Sequence, residues 1–437
     1  MDNEKNLRVI VFDSLIECLK NGRKSHILIK DVLDKYDYLD NTDKNFIKKL
    51  FEGTIEKMIT LDHALDDCSS KPMSKCKIEI KIILEMAAYQ ILFMDRVPDS
   101  AACDEAVKLC KKKSREELTG FVNGVLRSVV RRKDELLCFD AIEPLSTRMS
   151  VKYSIPEWIV SMMIKEIVGK DPEKADTFFK ALTDKRPMVV RITDKDRESD
   201  LLKKWDEKKI NYAKSEKLDS VYRLYDHGSV AEIPGFFEGI LYIQDESSMI
   251  AVKEAVSSYP NAKKLLDLCS APGGKGIYAL ELLKEGAAGT LADVSAEKVA
   301  LIGDNLKRLN VNNATAVINN ATILREEFID GFDIVIADVP CSGLGVISRK
   351  SDLKYNISNE GMAEICRLQK EIADTAVQYV KKDGILLYST CTLHKAENEK
   401  MRAYILDKGG FELLSEKRLT PDGDDTDGFF FAVFKKK

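Results

Sequence analysis

Two cysteines, each closing an apolar run, carry the chain's clearest potential for covalent chemistry. The run Ile334-Val335-Ile336-Ala337-Asp338-Val339-Pro340-Cys341-Ser342-Gly343 ends in a carboxylate and a thiol. The run Ile385-Leu386-Leu387-Tyr388-Ser389-Thr390-Cys391-Thr392 ends in a second thiol. If the runs are neighbouring parallel strands, both sulfurs sit at the carboxyl edge of a sheet, where open α/β sheets bind ligands. A thiolate is a strong soft nucleophile. A buried small hydrophobe is the commonest fate of a free cysteine. Here Asp338, Ser342 and two glycines flank Cys341, and two hydroxyl residues precede Cys391, so the pair reads as functional.

A third segment belongs with them. Asp267-Leu268-Cys269-Ser270-Ala271-Pro272-Gly273-Gly274-Lys275-Gly276 follows a strand-like run and turns into a helical one. Glycines there let backbone approach a ligand closely. The segment is neither a P-loop nor a G-x-G-x-x-G turn. Asp293 closes the next strand, where a carboxylate can accept from ribose hydroxyls. A glycine turn plus such an acid fits a nucleoside cofactor other than a dinucleotide.

These segments need a sheet to position them. From Tyr242 onward, strand-like runs at Leu265–Leu268, Ala288–Ala292, Ala314–Ile318, Ile334–Ala337, Ile385–Tyr388 and Phe429–Phe434 appear. Several are separated by helical stretches at Ile277–Lys284, Ala296–Leu309 and Glu360–Lys381. Alternation of this kind predicts a doubly wound, Rossmann-like α/β domain over 241–437. A smaller mixed α/β module is expected over 139–240, with a strand at Met188–Ile192. Residues 1–138 predict an all-α bundle of five or six helices, with Ile78–Met94 as the buried central one. Lys111-Lys112-Lys113-Ser114-Arg115 and Arg131-Arg132-Lys133 are basic clusters near helix ends, readable as a solvated face or a nucleic-acid surface.

Composition bounds the rest. The 437 residues, 44% hydrophobic and 32% charged with net charge −4, describe a multidomain chain with no global electrostatic bias towards nucleic acid. Ten cysteines without C-x-x-C spacing and only four histidines argue against a disulfide framework and against a metal site. Residues 1–5 are polar, with no signal-peptide pattern, and no run approaches a membrane span, so a cytoplasmic protein is expected.

The segments Ala271–Lys275, Asp338–Gly343 and Ser389–Thr392 resemble, in order, the motifs of the RNA cytosine-C5 methyltransferases, the NOL1/NOP2/Sun family. Tyr242–Ser248 resembles the opening of that family's catalytic domain, Pro187–Arg191 the strand before it, and Asp427–Ala432 its closing strand. The N-terminal bundle, with Val97-Pro98, Asp104–Val107 and Phe121–Arg127, is similar to the NusB-type RNA-binding domain. The resemblance implies S-adenosylmethionine as cofactor and 16S rRNA as partner, with the protein acting as a monomer on naked RNA or an early small-subunit particle. It implies methylation of cytosine carbon 5 through a covalent adduct, with Cys391 as nucleophile, Cys341 assisting release, and Asp338 contacting the ring and lining the cofactor pocket. Spacing alone does not choose between the thiols, because DNA cytosine methyltransferases use the cysteine of a Pro-Cys motif. Cofactor contacts are implied for Cys269, Ser270, Ala271, Pro272, Gly273, Gly274 and Lys275. Asp293 is expected on the ribose, and Asn320 near the adenine in place of an acid. Gly276 stands where the family has threonine. Arg349, Lys350 and Lys354 look like its RNA-facing basic stretch. A tRNA substrate, or a non-catalytic antitermination-like RNA-binding factor, are the alternative readings.

Overall fold

The computed structural model describes residues 6–113, 115–225 and 228–437. Residues 1–5 and Ser114 of the first basic cluster therefore lie outside the described residues. The chain divides into two compact units, Met1–Thr183 with Arg349–Asn356, and Asp184–Ser348 with Ile357–Lys437. No helix among the described residues is long and apolar enough to cross a membrane.

The first unit is helical. Ile78–Phe93 is buried nearly all round, from Ile80 to Ile91, and forms the centre of the bundle as its unbroken apolar sequence predicts. The described residues contain seven α-helices up to Leu136, more than the five or six expected. The stripe from Phe46 to Ile59 is split at Lys57, which leaves the helical basin between Asn41–Glu56 and Met58–Cys68. Ser25–Lys35 adds a further helix whose apolar stripe is short. The basic clusters are partly neutralised by acids of the same unit. Lys113 pairs with Asp13 at 2.5 Å, Arg132 with Asp67 and Glu135, and Lys133 with Asp99.

The segment Arg349–Asn356 overturns one expectation. Lys354 is not part of a solvent-facing basic stretch. It is 1% exposed, and its Nζ donates to the Glu56 carbonyl at 2.9 Å. Asp352 accepts from the Ser25 amide at 3.0 Å, and the Tyr355 hydroxyl lies 3.1 Å from Ser154 Oγ.

The second unit contains two sheets. The smaller is antiparallel, ordered β2-β3-β1-β4, with β1 Met188–Ile192, β2 Asn211–Lys214, β3 Val221–Tyr225 and β4 Leu241–Ile243. It packs around Trp205, Leu224 and Leu241. The larger has seven strands in the order β10-β11-β9-β8-β5-β6-β7. Its members are β5 Lys264–Asp267, β6 Ala288–Asp293, β7 Ala314–Ile318, β8 Phe332–Asp338, β9 Val380–Thr390, β10 Phe411–Leu419 and β11 Phe429–Lys436. The strands β7-β6-β5-β8-β9 are parallel, and β11 and β10 close the edge antiparallel. Strand β8 is buried over its length until Asp338, as expected of a parallel strand covered on both faces.

Burial lowers the Lys354 ammonium to about 7, against only a weak opposing pull from Glu56. The unfolded chain binds that proton up to the ordinary lysine range, so between about 7 and about 10.4 stability rises with pH; below 7 both states are charged and the cost is fully present. Replacing Lys354 with Met is expected to remove this slope. Relative to the variant, wild type gains about 1.4 kcal/mol per pH unit between roughly pH 7.5 and 9.5, read by denaturation with hydrogen exchange of the bundle helices. Identical pH responses in the two proteins contradict the assignment.

Candidate active site

The site is built at the carboxyl edge of three adjacent strands, β5, β8 and β9. Strands β8 and β9 run parallel in a register that sets Asp338 opposite Ser389. The chain then leaves the sheet after each strand, and the two loops bring Cys341 Sγ to 3.0 Å from Cys391 Sγ. The Cys391 amide also points at Cys341 Sγ, at 3.3 Å. The loops approach closely enough that Gly345 donates to the Cys391 carbonyl, and a Cβ on Gly345 would meet the Gly428 carbonyl at 2.0 Å. Only glycine fits there.

The two thiols are not equivalent. The Cys341 thiol is pushed well above its ordinary range, first by its hydrogen bond to Cys391 and then by burial. Cys341 is therefore the harder of the two to ionise, and the two sulfurs share a hydrogen bond. The charge of Lys275 is close enough to interact with Cys391.

Asp338 is held from two sides. Its Oδ1 accepts from Ser389 Oγ at 2.7 Å, and its Oδ2 from Lys275 Nζ at 2.6 Å. Lys275 sits in the first turn of the helix Gly274–Leu282, which Gly273 opens with φ +108. So the lysine of the glycine-rich turn reaches the acid of the thiol loop and ties the two segments into one crevice.

A cavity of ≈ 130 Å³ opens beside this pair, lined in part by Tyr242, Gln244, Asp267, Cys269, Lys275 and Asp338. Ser270, Ala271, Pro272 and Gly274 also reach it. Burial pushes the Cys269 thiol far up, which leaves this third cysteine a wall rather than a nucleophile. Asp267 is fully inside, accepting from Ser270 Oγ at 2.9 Å and from the Gly276 amide at 3.0 Å. A Cβ at Gly276 would stand 2.3 Å from Leu291 Cδ2 and 3.0 Å from Asp267 Oδ2, so a larger residue there requires the Leu291 side chain to shift. Asp293 accepts from the Ala271 and Val294 amides and pairs with Lys298 at 3.0 Å, so it is fixed at the end of β6. Asn320 is exposed, its Oδ1 turned to the Thr322 amide and hydroxyl, while neighbouring Asn319 is buried with Nδ2 unpartnered.

Four contributors are not singled out by residue type alone. Asp267 was visible as the last residue of a strand but carried no signal beyond a helix cap. Tyr242 and Gln244 enter from β4 and the turn after it, and Gln244 is held by Arg191, itself 2% exposed and paired with Glu281. The buried Glu397 behind the thiol loops had no local signature at all.

Residues 256–435 match the family described as 16S rRNA methyltransferase RsmB/F, and residues 5–131 match the NusB family. The probable ribosomal RNA small subunit methyltransferase B of Bacillus subtilis (strain 168) is 32% identical, over 99% of this chain and 99% of its own length. The chain belongs to the ribosomal RNA small subunit methyltransferase B family. The Escherichia fergusonii protein of that name is 28% identical over 100% of both chains. Among solved structures, PH0851 superposes with a TM-score of 0.77 at 20% identity, covering 98% of each chain. NSun6 from Pyrococcus horikoshii with SFG gives 0.54 at 18% identity, over 61% of this chain and 94% of its own. At these identities the likeness is one of fold.

The inequality of the thiols has a direct readout. At about pH 7.5, iodoacetamide is expected to alkylate Cys391 at least ~10-fold faster than Cys341 or Cys269, followed by peptide mass spectrometry. Equal rates, or Cys341 reacting first, contradict the arrangement.

Proposed function

We propose that this rRNA methyltransferase transfers a methyl group from S-adenosylmethionine to carbon 5 of a cytosine in 16S rRNA, through a transient bond between Cys391 and carbon 6 of the base. The observation that carries this reading is the thiol pair, 3.0 Å apart, with the doubly held Asp338 at the same strand edge. Carbon 5 of cytosine is a weak nucleophile in an aromatic ring. Thiolate addition at carbon 6 breaks the aromaticity and makes carbon 5 enamine-like.

The crevice fits the cofactor. Asp267 Oδ1 is buried with no partner, which suits the amino group at the cofactor's methionine end. Asp293, at the end of β6, is the carboxylate we assign to the ribose hydroxyls. When bound, S-adenosylmethionine supplies a methyl group on a sulfonium centre. The chain's own residues do the rest. Cys391 attacks carbon 6. Asp338, oriented by Lys275 and Ser389, contacts N3 or N4 of the ring and holds the base in place for attack. A base, assigned here to solvent water, takes the carbon 5 proton as the carbon 6–sulfur bond breaks and Cys391 leaves as thiolate; Cys341, hydrogen-bonded to that sulfur, assists the release. The protein acts as a monomer on naked rRNA or an early small-subunit particle. Gly276 does not weigh towards a relict site, because its backbone amide still donates to Asp267 at 3.0 Å.

Incubation with methyl-labelled cofactor and 16S rRNA is expected to yield 5-methylcytosine. No product on naked RNA or on small-subunit particles contradicts the proposal. Cys391→Ala is expected to abolish turnover, and Cys341→Ala to accumulate a protein–RNA adduct visible by denaturing electrophoresis. The reverse pattern exchanges the two roles.

Binding of the cofactor gives a pH test. Burial pushes the Asp267 carboxyl up to about 7. The cofactor's ammonium favours the carboxylate, so affinity is full above that pH and falls by up to about tenfold per unit below it. Calorimetry between about pH 5.5 and 8.5 is expected to show this fall in wild type and a flat profile in Asp267→Asn. A flat profile in wild type contradicts the contact.

A further inference from the structure

Behind the two thiols lies a buried polar network that the reaction just described does not use. Glu397 is 0% exposed and sits past β9, before the helix Glu399–Asp407. Its Oε2 accepts from the Ser342 amide at 2.9 Å and from Gln369 Nε2 at 3.0 Å. Its Oε1 accepts from Ser342 Oγ at 2.5 Å and faces His394 Nδ1 at 3.3 Å. Gln369, buried on the helix Asn359–Tyr379, also donates to the Pro340 carbonyl at 2.9 Å.

This carboxylate reaches the neighbours of the cysteines directly through Ser342 and indirectly through Gln369, which holds the Pro340 carbonyl. Pro340 precedes Cys341 and Ser342 follows it. Ser342 Oγ, having given its proton to Glu397, accepts from Thr392 Oγ1 at 2.7 Å, and Thr392 follows Cys391. Asn398 completes the second loop, with Oδ1 accepting from Thr390 Oγ1 at 2.6 Å and Nδ2 donating to the Thr392 carbonyl at 3.0 Å. Both thiol loops are thus bound to one short segment, Glu397-Asn398: Ser342 binds Glu397, and Thr390 and Thr392, on either side of Cys391, bind Asn398.

We propose that Glu397 is a positioning residue that clamps the Cys341 loop to the Cys391 loop and so fixes the separation of the two sulfurs. The consequence for turnover rests on the methylation reading above; the geometric part does not. The chemistry explains why an ionised carboxylate is needed. All of its partners in the Ser342 and Gln369 groups are donors, and only a carboxylate is an acceptor on both oxygens. A glutamine keeps one acceptor and turns an NH2 towards donors, leaving buried polar groups unpaired. Glu397 acts beside the direct bond from the Gly345 amide to the Cys391 carbonyl, and misplacement of reacting groups by about 1 Å costs on the order of 100-fold in rate.

The test uses the full-length protein and two readouts. In the first, diamide oxidation of the Cys341–Cys391 pair reports how often the sulfurs meet, with no RNA present. Glu397→Gln is expected to slow formation of that disulfide at least ~10-fold relative to wild type. In the second, methylation of 16S rRNA is expected to lose at least ~10-fold in kcat while KM for RNA and the Kd for S-adenosylmethionine stay within about twofold. Ser342→Ala removes the hydroxyl relay but keeps the amide, and is expected to show a smaller loss in both readouts. It decides the matter if Glu397→Gln does not fold. Unchanged disulfide formation in the folded variants overturns the clamp, whatever the activity. An inactive wild type whose disulfide formation still depends on Glu397 and Ser342 overturns the methylation reading and leaves the clamp standing.

Discussion

The in-register parallel pairing of β8 with β9 is the constraint on which the site depends. Parallel strands side by side end at the same edge, and Asp338 opposite Ser389 fixes where each chain leaves the sheet. Everything that follows is a short loop from that edge. On the other flank, β5 pairs with β8 so that Asp267 lies opposite Ile336, which sets the glycine-rich turn beside the thiol loops. The cofactor crevice, the acid and the two sulfurs are therefore neighbours because three strands are neighbours, in keeping with ligand binding at the carboxyl edge of open α/β sheets.

Electrostatics then separates groups that share a chemistry. The crevice holds Asp267, Asp338 and Asp293 together with Cys269, Cys341 and Cys391. Asp338 has a lysine at 2.6 Å and a hydroxyl at 2.7 Å, whereas Asp267 is buried deeper and its carboxyl is raised towards neutrality. Among the sulfurs, Cys269 and Cys341 are both driven up, by burial and by the thiol–thiol hydrogen bond respectively. Cys391, within reach of the Lys275 charge, is the remaining thiol of the three. Burial and a single ion pair thus give unequal jobs to residues of equal type.

Much of this was legible because fully buried parallel strands read as unbroken apolar runs. Ile334–Ala337 and Ile385–Tyr388 stand out in the sequence, and a cysteine after each run is conspicuous. Strand β10 was not legible. Its residues alternate between buried Phe411 and Leu419 and a charged, exposed middle, as an edge strand allows. Lys354 was misread because a lysine in a basic stretch looks solvated, and nothing local tells that Glu56 and Tyr355 will enclose it. The Glu397 network was invisible for a different reason. Its members come from the loop after β8, a helix and the loop after β9, and only the fold makes them one cluster.

The central claim is that Cys391, and not Cys341, forms the bond to the base. Transcribing 16S rRNA with 5-fluorocytidine places a fluorine where the proton must leave, so a bond formed at carbon 6 persists. Digestion and mass spectrometry of the trapped complex then identify the modified cysteine. The account predicts the nucleotide on Cys391, with formation dependent on S-adenosylmethionine. A nucleotide on Cys341, or no cysteine adduct while the wild-type enzyme still methylates unmodified RNA, contradicts it.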